Sequence, residues 1–199
     1  MHQPAFAWYA GTVSLLVMSL FVLIPQADVD AWRSLIRFTA RTSLAVFLLA
    51  YTASALFRRW PSAATAWLRA RRQQWGLLLL TSHGIHLCGI VAFWWLAPDV
   101  FAQQVPVVNL YTGGLAYVFL IAMGLTSHPL IRGRVGQQMW NRLHTWGMHY
   151  LFLSFLVANG KRMSLDNAYA IPVVALFLAL GLRVIARRHM APESPRPLH

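Results

Sequence analysis

An all-α membrane protein, a bundle of six transmembrane helices with both termini in the cytoplasm, is the fold class this sequence predicts. Three observations predict it. Of 199 residues, 58% are hydrophobic and only 11% charged, with a mean hydropathy of +0.51, which is too apolar for an ordinary soluble domain. The apolar residues fall into six runs, each about as long as the ~20 residues a spanning helix needs. The charges sit between the runs and alternate in character along the chain.

The first run extends roughly from Phe6 to Ile24 and stops at Pro25. It lacks the basic start of a signal peptide and reads as a retained helix. The second runs from about Phe38 to Phe57 and ends at Arg58-Arg59. The third, Trp75 to Leu96, stops at Pro98-Asp99, and the fourth, Val107 to Ser127, precedes Pro129. The fifth, Met139 to Ala158, stops at Asn159-Gly160, and the sixth, Ala170 to Ile185, has Arg187-Arg188 behind it. The stretch from Arg58 to Gln74 is the longest connection and has room for a short interfacial helix around Ala63 to Ala70. Residues 1–190 read as one domain with its core at 37–158. The tail 191–199 holds three prolines and reads as disordered.

Arg58, Arg59, Arg69, Arg71 and Arg72 lie between the second and third runs, Arg132 and Arg134 between the fourth and fifth, and Arg187, Arg188 and Arg196 after the sixth. The opposite connections mix Asp28, Asp30, Asp99 and Asp166 with Arg33, Arg37, Lys161 and Arg162. The positive-inside rule puts the arginine-rich side in the cytoplasm. The same distribution argues against a nucleic-acid partner despite the net charge of +12, because the arginines form no single soluble basic face. The expected surroundings are the lipid bilayer. Trp94, Trp95, Tyr111 and Trp140 suit interfacial anchors. The single cysteine, Cys88, excludes an intrachain disulfide and a cysteine-based cluster. No CxxCH, GxGxxG or P-loop string occurs, so covalent c-type haem and a hydride-accepting domain are not expected.

Ionisable side chains are costly at membrane depth and mark sites. His83 and His86 stand three apart in the third run, so they share a helix face. His144 stands in the fifth, and His149, five residues on, points elsewhere. Neutral imidazole is a good ligand for haem iron, and a bis-histidine b-type haem takes one ligand from each of two helices at matching depth. His83 is eleven and His86 fourteen residues past Arg72, and His144 is ten past Arg134. That count permits either pairing and slightly favours His83. Gly84, Gly89 and Gly147 leave room for a flat macrocycle. Arg41, inside the second run, suits either a haem propionate or snorkelling to the interface. A non-haem Zn, Cu or Fe site on His83, His86 and His144, in a membrane enzyme or metal carrier, is an alternative. So is an anchor or transporter without a redox role. His149 reads as a structural group, His128 as interfacial beside Pro129, and His2, His189 and His199 as terminal.

The string Arg71-Arg72-Gln73-Gln74-Trp75-Gly76-Leu77, with His86 ten residues after Gly76, resembles the third helix of the ferric reductase-like transmembrane domain family. Thr126-Ser127 and Trp140-Asn141-Arg142-Leu143-His144 resemble its fourth and fifth helices. Within that family the chain resembles the haem-binding membrane subunit of bacterial methionine sulfoxide reductase systems. The resemblance covers roughly Arg37 to Ala158. It implies haem b between the third and fifth helices of a bacterial inner-membrane oxidoreductase component. Electrons would pass from quinol, or from a separate reductase protein, to an acceptor, and a partner subunit is expected because no soluble redox domain is present. It carries over His86 and His144 as iron ligands, with His83 as an extra histidine that could replace His86 or tune the site. Two departures, Val157 where such subunits have a further histidine and Asp99-Val100 where two-haem members have a second one on the third helix, point to one haem. Family position favours His86 over His83.

Overall fold

A computed structural model describes residues 28–188 and, ahead of them, Thr12, Ser14, Leu15, Leu16, Met18 and Ser19. Most of the first run and the whole 191–199 tail lie outside the described residues. The described chain is α-helical apart from short connections and one 3₁₀ turn, with no strand among the described residues.

Helix α1, Val29–Arg59, begins where the Asp28 carboxylate accepts from the Ala31 N–H, with Asp30 in the first turn and Arg58 and Arg59 in the last. The cap satisfies an otherwise orphaned donor, and both charge placements oppose the helix dipole. Its 31 residues rise ~46 Å, more than the ~30 Å hydrocarbon thickness, so charged ends can project beyond the apolar middle. Helix α2, Ala63–Ala70, starts at a Ser62–Thr65 capping box and coincides with the short helix expected there.

Helix α3, Arg72–Leu96, ends two residues before Pro98. Proline lacks a backbone N–H and excludes helical geometry from the residue before it, but it suits a first helical turn, and α4, Pro98–Gln104, begins on it. The same device follows α5, Val107–Leu125, where α6 covers Pro129–Val135. Gly136, at φ +81, then reverses the chain, a conformation that favours glycine, and α7 runs Gln137–Gly160. A 3₁₀ turn, Asn167–Tyr169, leads into α8, Ala170–Arg188. The sequence reading treated α4 and α6 as loop.

Four stretches among the described residues are long and apolar enough to cross a membrane: α1, α3, α5 and Asn167–Arg188. Helix α7 has the length, 24 residues, but its first half carries Gln137, Gln138, Asn141, Arg142 and His144.

The long helices close a ring, α1 on α3, α3 on α5, α5 on α7, α7 on α8 and α8 back on α1. Its interior is filled by Phe47, Tyr51, Leu79, Leu120, Met123, Leu151, Phe152, Phe155 and Leu176 with their smaller neighbours. Gln73 donates to Ser127 O (3.0 Å), Trp140 to Thr126 O (3.1 Å) and Arg183 to Tyr51 O (2.9 Å). These bonds bring the starts of α3 and α7 to the same end as the finishes of α1, α5 and α8. That end carries the described members of the three arginine clusters picked out from sequence. The described carboxylates, Asp28, Asp30, Asp99 and Asp166, lie at the other.

Candidate functional site

The histidine region is built on a polar seam between α1 and α3. Thr39 and Ser43 are fully buried on one face of α1, opposite the fully buried Ser82 of α3. Ser43 donates to the Ser82 hydroxyl at 2.8 Å, and the Thr42 hydroxyl lies 3.0 Å from the same oxygen. Small residues allow this approach: a Cβ on Gly89 would stand 3.0 Å from Ile36. Sequence reasoning missed the seam. Its signal was present in hydroxyl residues at helical spacing inside apolar runs, which in lipid join helices by hydrogen bonds.

His86 sits one turn from Ser82 on that seam. Its Nδ1 is 3.1 Å from Ile36 O and 3.0 Å from the Thr39 hydroxyl. A carbonyl can only accept, so Nδ1–H is the donor, and the neutral ring keeps its lone pair on Nε2. His144 repeats the arrangement on α7. Its Nδ1–H donates to Trp140 O at 3.0 Å, and its ring stacks on that of Trp140 at 4.0 Å. Iron-binding histidines commonly show this pattern, with the far nitrogen held by a carbonyl and Nε2 presented to the metal. Each ring by itself therefore fits the donor chemistry of haem.

His83 differs. Its Nδ1 is buried without a hydrogen-bond partner among the described residues. Its ring lies among His86 (5.5 Å), Tyr117 (5.5 Å) and the edge-on Phe155 (5.7 Å). The Tyr117 hydroxyl donates to the His83 carbonyl rather than to its ring.

The structure brings His83 and His86 together but sets His144 apart. Phe155, against which His83 packs, is eleven residues beyond His144 on the same unbroken helix, ~16 Å of rise. His144 instead neighbours Trp140, which is tied to Thr126 at the arginine-rich end. The matched depth expected from sequence is not found. That count began at Arg134, which belongs to α6; after the reversal at Gly136, His144 is only seven residues into α7, which begins at Gln137. Counted from the starts of their helices, His86 lies fourteen residues into α3 and His144 seven into α7.

The other expected participants fall as follows. Arg41 is exposed on α1, two residues and so about 200° around the helix from Thr39, and is not brought to the histidines. Gly89 and Gly147 are filled against, by Ile36 and by Met123, and of the three named glycines only Gly84 faces open space. His149 is exposed, and His128 precedes α6 as its cap residue. Among the described residues no group of three or more His, Cys, Asp or Glu is placed to hold a metal ion, so a three-histidine metal centre is not assembled.

No protein-family model matches the chain, and no solved structure does. Curated relatives do. The "Protein-methionine-sulfoxide reductase heme-binding subunit MsrQ" of Yersinia pseudotuberculosis serotype O:1b (strain IP 31758) is 28% identical over 145 residues, covering 70% of this chain and 68% of the relative. The protein of the same name from Yersinia pestis (strain Pestoides F) is 28% identical over 145 residues, covering 70% and 67%. The all-helical chain, with apolar helices of spanning length, is thus similar to the heme-binding subunits of bacterial protein-methionine-sulfoxide reductases.

Proposed function

We propose that this chain is a haem b-binding, multi-pass subunit of the bacterial inner membrane that transfers electrons for an oxidoreductase. In this reading six helices span the bilayer with both termini in the cytoplasm, the first of them the Phe6 to Ile24 run. The observation that carries the reading is the matched state of two imidazoles in one apolar bundle. His86 and His144 each commit Nδ1–H to a backbone carbonyl and each leave Nε2 as the donor. The similarity to heme-binding subunits adds to it.

A haem would supply a one-electron carrier, with the protein setting its axial ligand, burial and polarity. His86 and His144 are the ligand candidates, and His83, beside His86, is the residue best placed to tune it. Because the two candidate ligands stand at different depths, no electron path through a shared iron follows from this arrangement. The electron source is quinol or a separate reductase at the arginine-rich face. The acceptor is a catalytic partner on the other side, as the word "subunit" in the relatives' name suggests.

The test is a reduced-minus-oxidised visible spectrum of protein expressed with haem supplied, with a pyridine haemochrome assay. A sharp α band and about one haem b per chain is the expected result. Loss of most of it in His86→Ala, in His144→Ala or in both identifies the ligand, whereas His83→Ala should retain haem and alter only its potential. A featureless spectrum from folded protein overturns the reading.

A further inference from the structure

The arginine-rich end holds a second feature that the haem reading does not use. A cavity of about 230 Å³ opens where the C-terminal turns of α1 and α8 meet the first turn of α3, lined by Tyr51, Ser54, Arg58, Arg72, Arg183 and Arg187. Four guanidinium groups converge there with no carboxylate. The ion pair present among the described residues, Arg33–Asp30, is at the opposite end, as are all four described aspartates.

Ordinary charge placement explains only part of this cluster. Arg58 and Arg187 end their helices, where cations suit the dipole. Arg72 is in the first turn of α3, where the dipole disfavours a cation, and that helix start has no side-chain cap. Arg183 is held in place by its bond to Tyr51 O and by stacking over the Tyr51 ring at 4.1 Å, which leaves further N–H donors to serve the cavity. Tyr51 is 1% exposed, yet its hydroxyl is buried without a hydrogen-bond partner among the described residues. An unpartnered buried donor is costly, and like charges so close repel. A group with several anionic oxygens offsets both.

We propose that this cavity binds a phosphate group, as carried by an anionic phospholipid headgroup or by a soluble phosphate. Guanidinium forks match phosphate geometry, and basic pockets between membrane helices take anionic headgroups. In the bound state the phosphate oxygens accept from Arg58, Arg72, Arg183 and Arg187, and one accepts the Tyr51 O–H.

The test uses the full chain, delipidated in detergent and titrated separately with phosphatidylglycerol, phosphatidylcholine and inorganic phosphate. Binding is read by native mass spectrometry and thermal melting. One phosphatidylglycerol per chain with a raised Tm, and no effect of phosphatidylcholine, is expected for a headgroup source. The same rise with millimolar phosphate alone identifies a soluble source. Arg58→Gln with Arg187→Gln, both at exposed positions, should weaken binding roughly tenfold. Tyr51→Phe should weaken it less while leaving the ligand-free Tm unchanged or higher, because it removes an unpartnered hydroxyl. The proposal is overturned if neither phosphatidylglycerol nor phosphate binds better than phosphatidylcholine, or if these variants bind like the parent. Loss of phosphatidylglycerol binding on haem loading would assign the arginines to the propionates and overturn it equally.

Discussion

Gly147 carries a conformational demand that its helix alone does not create. A Cβ there would stand 2.6 Å from Met123 Sδ and 3.0 Å from Met123 Cε, inside the distance real side chains tolerate. Methionine is flexible and can yield, but Met123 is a buried core residue, so its displacement disturbs the α5–α7 packing. Gly147→Ala should therefore destabilise by about 1–3 kcal/mol. Gly84→Ala, where nothing lies within 4 Å, should be neutral or stabilising by up to ~1 kcal/mol. Thermal melts of the two variants in one detergent check this, and equal Tm changes would contradict it. From sequence both glycines read as room for a macrocycle, because spacing reports which face a residue shares and not what fills the space opposite. The same limit held for the histidines. The common face of His83 and His86 followed from their separation of three, but the state of the His86 ring depends on Ile36 O, fifty residues away on another helix.

Between elements, the α1–α3 contact depends on hydroxyl groups as well as on shape. The Ser82 oxygen receives Ser43 at 2.8 Å, neighbours Thr42 at 3.0 Å and lies 3.3 Å from Thr39 O. Ser82→Ala removes the shared oxygen and should cost about 1 kcal/mol, the scale of interhelical hydrogen bonds in membranes. Ser43→Ala combined with Ser82→Ala should cost little more than Ser82→Ala alone, because the pair acts as one unit. Fully additive losses in an unfolding titration would show that the seam is not cooperative. The second, third, fourth and sixth apolar runs were legible because each is a long run of one solvent preference, and prolines or arginine pairs mark their ends. The seven-residue helices α4 and α6 were not, since each begins on a proline that reads equally as a turn. That omission caused the depth error at His144. Without α6 and the Gly136 reversal, Arg134 passes for the start of α7, and His144 is counted three residues too deep.

At the scale of the whole molecule, the helix ends sort the charge. Arg58, Arg59, Arg69, Arg71, Arg72, Arg132, Arg134, Arg187 and Arg188 come to one end of the ring, although they are spread over 131 positions from 58 to 188. The opposite end balances Asp28, Asp30, Asp99 and Asp166 against Arg33, Arg37, Lys161 and Arg162. Only the first distribution resists translocation, because orientation follows Lys and Arg in short connections and acidic residues contribute little. An alkaline phosphatase fused after His199 should therefore be inactive, and one inserted at Ser164, in the connection between α7 and α8, should be active. Neutralising Arg69, Arg71 and Arg72 together should weaken this bias without touching the core, since none of the α2 residues is buried and Arg72 is itself exposed. Activity after His199 with silence at Ser164 would invert the protein in the membrane. The arginine cavity would then face outward, and electrons would have to enter at the end carrying the aspartates.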